Sequence, residues 1–379
     1  MSSKYSIGFV CRSAAWGGLE MNVIRFARWM ADRGHRIVVY GRGGTVLRKH
    51  VGEAGLLFRA IDGRGRYGGP IAAGRLSRMI NRDEIDILTI HTNRDLPLST
   101  LSGLFSRRPV RLVYVQHMQL GRDKKDVIHT WEYENLDAWV TPLDILAKGV
   151  RQRTHISPRK IRVIPFGIEL APFTTGLPGK AGARHDLGLP VDAVVAGTVG
   201  RIDRKKGQDV LIRACAEIRS AGIPLQVLFV GEQTEGEAQS YADELSGLMD
   251  ELDLHDSVTF SPFREDIETA YAAMDVFVLT SHSETYGMVT IEAMASGLPV
   301  IATDTGGTPG IVTDQSTGLL VPAEDAGALR QALMELLNNR ELAAHLGEQA
   351  RLEAVRRFSH EVQCQSYEAL FDELMNYGK

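Results

Sequence analysis

Two acids and two cations are the residues of this 379-residue chain whose spacing suggests chemistry. Glu284 and Glu292 stand eight positions apart in SHSETYGMVTIEAMASGLPVIATDTGG, residues 281–307. There the apolar run DVFVLT ends in a polar loop carrying Glu284, and TYGM turns the chain into a helical pattern carrying Glu292. Gly287 allows a close backbone approach to a ligand. The free N–H groups around Tyr286, Gly287, Met288 and Val289, where the helix begins, suit a diphosphate. Glu292, about one turn into the helix, is placed to accept hydrogen bonds from ribose hydroxyls. Glu284 is placed to bind hydroxyls of a transferred sugar. A loop acid and a helix-face acid in solvent would be the plainer reading. The flanking Gly287, Gly297, Pro299, Gly306 and Gly307 weigh against it.

Arg201 and Lys206 lie in GRIDRKKGQDVLIRA, residues 200–214. Two cations five residues apart, just after a strand and before a glycine, can hold a pyrophosphate from two sides. Negative charge grows on that group as a glycosidic bond breaks, so fixed cations favour the transition state over the ground state. Arg204 and Lys205 fit a solvated charge run equally well. No Asp-x-Asp occurs, and no strand ends in paired acids suited to Mg²⁺ or Mn²⁺. Metal-independent handling of the diphosphate is the consistent expectation, with no cofactor beyond the nucleotide-sugar co-substrate.

The elements that must position these residues alternate strand and helix, the pattern of parallel sheets covered by helices on both faces. Strands are predicted at 6–10, 37–40, 87–90, 111–116, 138–141 and 161–165, with a helix at 19–33 opened by the turn Trp16, Gly17, Gly18. A Pro- and Gly-rich stretch at 171–190 interrupts the periodicity. Strands resume at 194–199, 226–230, 258–260, 276–280, 300–303 and 318–321, with helices at 208–220, 240–252, 267–273 and 289–295, and 326–377 is mostly helical. The division is a first domain at 1–168, a linker at 169–190 and a second domain at 191–359, with a helix at about 360–379 packing back on the first. Two such domains place a ligand cleft between their strand C-termini.

Residues 281–307 resemble the E-x7-E segment of the family-4 retaining glycosyltransferases. Residues 200–214 match that family's G-R-x4-K-G element, VIPFGIE at 163–169 resembles its V-I-P-N-G-V-D segment, and residues 17–40 resemble its glycine-rich first loop and helix. The resemblance covers nearly the whole chain and implies the α/β GT-B fold, two Rossmann-like domains facing each other across a cleft. It implies retaining transfer from a UDP- or GDP-sugar by front-side substitution, with Glu284 as an orienting group. It also makes Arg201 and Lys206 the pyrophosphate contacts, puts His117 beside the transferred sugar, and implies base contacts near Phe263 that are largely to backbone. His91 is a weaker candidate of the same kind; a polar residue ending a strand is the plainer reading of either histidine. Gly17 and Gly18 let the first loop reach the donor phosphates or the acceptor, or simply make a tight turn. Three departures stand out: Phe166 for the usual Asn, Gly310 for the glutamate of the GGxxE segment, and Tyr286 for the commoner Phe.

Composition sets the remaining bounds. Hydrophobic residues make up 44% and charged residues 24%, ordinary for a globular chain. No apolar run approaches the roughly 18 residues of a membrane helix, so a cytoplasmic location is the default expectation. Cys11, Cys215 and Cys364 have no metal-ligand spacing, and Cys11 and Cys215 read as core thiols. Residues 1–170 carry 28 Lys and Arg against 15 Asp and Glu, a net of +13, whereas residues 171–379 carry 15 against 32, a net of −17. Either the first half meets something anionic, or the halves attract each other. Its cations (Arg64, Arg66, Arg107, Arg108, Arg111, Lys124, Lys125, Arg151, Arg153, Arg159, Lys160) lack the aromatic interleaving of nucleic-acid binders. The resemblance makes the first domain the acceptor side and implies docking of peripheral members on anionic membranes through it. The expected acceptor is accordingly an envelope glycan or lipid-linked molecule, with peripheral contact to an anionic membrane. A small soluble acceptor, an epimerase of the same fold and a non-catalytic nucleotide-sugar binder are the competing readings.

Overall fold

The computed structural model describes residues 3–61, 69–233 and 238–376. The chain forms two compact units, one of residues 1–166 with 360–379 and the other of residues 167–359.

The first unit holds a seven-stranded sheet: β1 (Ser6–Val10), β2 (Arg36–Gly41), β3 (Leu57–Ala60), β4 (Ile87–Ile90), β5 (Arg111–Val115), β6 (Ala138–Thr141) and β7 (Ile161–Val163). Its order is β3-β2-β1-β4-β5-β6-β7, and every pairing is parallel. The strands are apolar runs because parallel strands are covered on both faces. Edge strand β3, LFRA, is only partly buried, which is why its short pattern escapes the sequence reading. The order reverses between β1 and β4, so the loops after these strands diverge and leave a crevice at their carboxyl ends. Trp139 anchors the core, edge-on to both Tyr114 and Tyr133, with its indole N–H on Gln116 Oε1 at 3.0 Å.

The terminal helix His360–Asn376 belongs to this unit. Phe26 of helix Gly18–Asp32 meets Tyr367 at 4.5 Å between rings, and Glu368 takes Arg33 at 2.5 Å and His35 at 3.0 Å.

The second unit holds six parallel strands: β8 (Val194–Val199), β9 (Leu225–Val230), β10 (Val258–Ser261), β11 (Val276–Leu279), β12 (Val300–Thr303) and β13 (Leu319–Val321). Their order, β10-β9-β8-β11-β12-β13, reverses between β8 and β11. The core packs helix Gln208–Ser220 through Leu211, Ile212, Cys215 and Ile218 against Val227 and Phe229.

The stretch read as a linker is part of this unit. It carries helices Ala171–Thr174 and Lys180–Asp186, and Arg184 ties it down. That buried guanidinium donates to the carbonyls of Ala273 (3.0 Å) and Val191 (2.5 Å) and to Asp275 Oδ2 (2.6 Å). Composition alone reads as loop here because the contacts to Ala273 and Asp275 are long-range.

All three cysteines are buried and unpaired, and burial raises their thiols to about 12, 11 and 12 for Cys11, Cys215 and Cys364. Among the described residues no helix is long and apolar enough to cross a membrane.

Candidate functional site

In the second unit the candidate residues gather at the reversal point of the sheet. Lys206 lies in the loop after β8 and Glu284 in the loop after β11, and Lys206 Nζ meets Glu284 Oε2 at 2.5 Å. Both side chains are only partly exposed, at 25% and 19%, so the pair is poorly screened by solvent and neither charge is locked away. The two loops are stitched by backbone: Thr280 Oγ1 donates to Lys206 O at 2.8 Å and His282 N to Lys205 O at 2.9 Å.

Gly207 follows Lys206 in the left-handed region, φ 64°, where a Cβ would stand 2.4 Å from Thr280 O. Gly306 does the same for Glu284: at φ 59° its Cβ would lie 2.2 Å from Glu284 O. Gly307 N donates to that carbonyl at 2.6 Å. Only glycine satisfies both constraints. The sequence marked these glycines but not what they press against. At Gly310 no acid enters this loop, and its carbonyl accepts from Arg357 Nη2 at 3.1 Å.

Gly287, φ 83°, caps helix Met288–Ala295. Its first N–H groups lack intrahelical acceptors, as at any helix start, and carry partial positive charge. Met288 and Val289 are partly buried beside them. Glu292 sits inside this helix at 9% exposure and accepts from Tyr271 Oη at 2.8 Å. That partner was absent from the sequence reading, since 21 residues separate the two. Tyr286 is 5% exposed with its ring edge-on to Phe358 at 6.5 Å, so its side chain packs in the core and only its backbone is left for a ligand. Arg201 and Phe263 are both exposed.

The first unit carries a separate cleft of about 1480 Å³ at its own reversal point, over the loops after β1, β4 and β5. Arg12, Arg42, Arg75 and Arg94 line it, with Asp95 and Glu20. Buried Asp95 accepts from Arg12 N at 2.9 Å and Thr92 Oγ1 at 2.8 Å, fixing the first loop to the loop after β4. Burial raises its carboxyl above the ordinary range, against the lowering effect of those bonds. The arginines sit in separate segments with no common motif, so sequence reasoning found only their net charge. Among the basic residues named from sequence, Arg108 pairs with Glu84 and Asp86, Arg111 with Asp137 and Arg153 with Asp123; Arg64 and Arg66 lie outside the described residues.

His91 and His117 stand in the wall of that cleft. Their rings are joined, His91 Nδ1 to His117 Nε2 at 3.0 Å, and His91 Nε2 is 3.0 Å from Thr89 Oγ1. His91 stacks on Phe9 (5.3 Å) and His117 on Phe166 (4.8 Å). Phe166, the departure from the usual Asn, thus supplies an apolar face to the histidine. Desolvation lowers His117 to about 3 and His91 well below its ordinary value, so both are neutral at pH 7. Gly18 also lines the cleft, but neither it nor Gly17 is required there: Gly17 is extended, φ −173°, and a Cβ at Gly18 would meet open space.

Residues 180–353 match the family described as glycosyl transferases group 1, and residues 16–171 match glycosyltransferase family 4. The chain belongs to the family-4 glycosyltransferases. A D-inositol 3-phosphate glycosyltransferase of Saccharomonospora viridis is 36% identical to this family-4 chain over 228 residues, which is 59% of this chain and 52% of that protein. The chain spans about half the length of such curated relatives, or less. A glycosyltransferase from Rickettsia africae superposes with a TM-score of 0.87 at 19% identity, covering 98% of this chain and 99% of that one. The Anabaena protein HepE, solved with UDP, gives 0.85 at 22% identity over 97% and 100% of the two chains. The fold of this family-4 chain is therefore that of the GT-B glycosyltransferases, two Rossmann-like α/β units.

Proposed function

We propose that the chain transfers a sugar, with retention and without a metal, from a UDP- or GDP-sugar held by the second unit to an acceptor held by the first. The observation that carries this reading is the Lys206–Glu284 pair, 2.5 Å apart where the second sheet reverses, beside the capped start of helix Met288–Ala295. Lys206 and the helix start neutralise the leaving diphosphate, exposed Arg201 adds a second cation, and Glu284 orients the sugar hydroxyls. On donor binding the lysine exchanges its carboxylate partner for phosphate oxygens, which frees Glu284 for the sugar. Glu292, bonded to Tyr271, takes ribose hydroxyls. HepE, of the same fold, has been solved with UDP and with UDP-glucose, and the curated relatives are named as glycosyltransferases, which supports a nucleotide-sugar donor.

The acceptor is an envelope glycan or lipid-linked molecule, reached from the cytoplasmic side with peripheral membrane contact. The arginine-lined cleft of the first unit favours an anionic group on it. The same cleft, with relatives named for an inositol phosphate, supports a small soluble acceptor as the second reading. A thermal-shift screen of nucleotide sugars finds the donor: a ligand at 100 times its Kd adds about 2.7 kcal/mol of stability. Product analysis then tests the transfer itself. Glu284→Ala and Lys206→Ala should each abolish it while the protein stays folded; full activity in either ends the assignment. Co-sedimentation with anionic vesicles, against phosphatidylcholine vesicles, separates the lipid-linked from the soluble acceptor.

A further inference from the structure

We propose that His91 is a positioning residue that holds His117 in its neutral Nε2–H tautomer, through a buried run from the Gly8 carbonyl to the cleft. Hydrogen-bond direction along the run is forced from its inner end. The Gly8 carbonyl can only accept, so Thr89 Oγ1, 3.1 Å away, donates its single proton there. Thr89 Oγ1 must then accept from His91, which puts the His91 proton on Nε2. The neutral ring has one proton, so its Nδ1 is an acceptor, and His117 Nε2, at 3.0 Å, is the donor. His117 is left with an unprotonated Nδ1, an acceptor available to a hydroxyl in the cleft wall.

The surroundings remove the other states. Thr89 and His91 are 0% and 1% exposed, and among the described residues no acid bonds to the His91 or His117 ring. Protonating His91 at Nδ1 would put two donors face to face across 3.0 Å, and desolvation disfavours the charged form of both rings. The two stacks restrict ring rotation. The run also ties three strands together, since Gly8 is in β1, Thr89 in β4, and His117 follows β5. A second hydrogen bond that selects a tautomer is the usual means of orienting an imidazole.

The value of the acceptor rests on the transfer reading, but the tautomer does not, so two measurements separate them. In ¹⁵N-labelled protein, two-bond correlation spectra read the His117 tautomer directly, with the signals assigned by their loss in His117→Gln. The wild type should give the Nε2–H pattern from pH 8 down to pH 5. Thr89→Val, close to isosteric, removes the fixed acceptor and should give mixed tautomers at His117. His91→Phe keeps the stack on Phe9 but removes the ring acceptor, and should also release the tautomer. His91→Asn, whose side-chain oxygen can stand near the former Nδ1, should restore it. In transfer assays Thr89→Val and His91→Phe should lower kcat about tenfold or more with donor KM within about twofold, and His91→Asn should recover most of the loss. An Nδ1–H pattern in the wild type, or an unchanged pattern in Thr89→Val and His91→Phe, overturns the relay. A wild type with the Nε2–H pattern and no transfer supports the relay and overturns the transfer reading.

Discussion

The two units repeat one topology and use its reversal point in opposite electrostatic ways. In the second unit the crevice holds formal charges, Lys206 against Glu284, partly solvated and next to a helix start. In the first unit the corresponding loops carry a pair of imidazoles kept neutral by desolvation, one stacked on Phe9 and the other on Phe166. Stabilising a leaving diphosphate calls for fixed charge, because charge is what develops there. Orienting a hydroxyl calls for one lone pair in one direction, which a protonated ring could not supply. Under the proposed function the same kind of crevice would serve both tasks, because strand ends supply position while loop residues supply chemistry.

Several substitutions would break or sharpen that contrast. The largest expected effect is on the charged side. Lys206→Met should lower kcat by at least about a hundredfold, the scale of losing one preorganised transition-state contact. His117→Gln should cost less, and a reversed ranking in steady-state kinetics would put the dominant contribution in the first unit.

Next come the glycines. Gly207→Ala or Gly306→Ala meets both a left-handed backbone and a carbonyl oxygen within 2.4 Å. Either should cost about 2–3 kcal/mol or more in denaturant unfolding. Gly18→Ala in the first unit meets open space and should change stability by less than about 0.5 kcal/mol. Equal losses would mean that the first loop is as tightly constrained as the second unit's.

Tyr271→Phe removes the hydroxyl that bonds buried Glu292 and should cost about 1–3 kcal/mol, read in the same way. It should also weaken donor binding if Glu292 holds the ribose, a shift that isothermal titration would detect.

The smallest effect is on pH dependence. His117 is held at about 3 in the folded protein, against an ordinary value near 6.5. The unfolded chain therefore binds the extra proton first as pH falls, so the stability from keeping the ring neutral is complete above about pH 6.5. It is lost progressively toward pH 3. Unfolding free energies at pH 7.5 and 5.5 should differ less in His117→Gln than in the wild type. An unchanged difference would mean that the ring is not desolvated in solution.

How much of this was legible differs between the units for the same reason. Arg201, Lys206, Glu284, Gly287 and Glu292 lie in two contiguous segments, each a strand end running into a helix start, so local spacing exposes them. Yet Tyr286, inside the clearest of those segments, turns its ring into the core, since a motif position fixes backbone and not side-chain direction. The first unit's cleft is assembled from Arg12, Arg42, Arg75 and Arg94 on separate elements, of which the chain order preserves only a net charge. The stretch at 171–190 read as a linker because its helices are short and Arg184 finds its partners up to 91 residues away.

By itself, then, the amino-acid order determined the alternation of strands and helices, the two parallel sheets and the two glycine-bounded segments that carry the candidate residues, because periodicity and glycine-bounded turns are local properties. Only the tertiary structure decided which groups meet. The closure of Lys206 on Glu284, the Tyr271 support for Glu292, the stacking of Phe166 on His117 and the run from Gly8 through Thr89 and His91 to His117 each join residues distant in the chain. They depend on strand order and on burial. Burial sets which protons the groups carry, and no reading of neighbours along the chain supplies it.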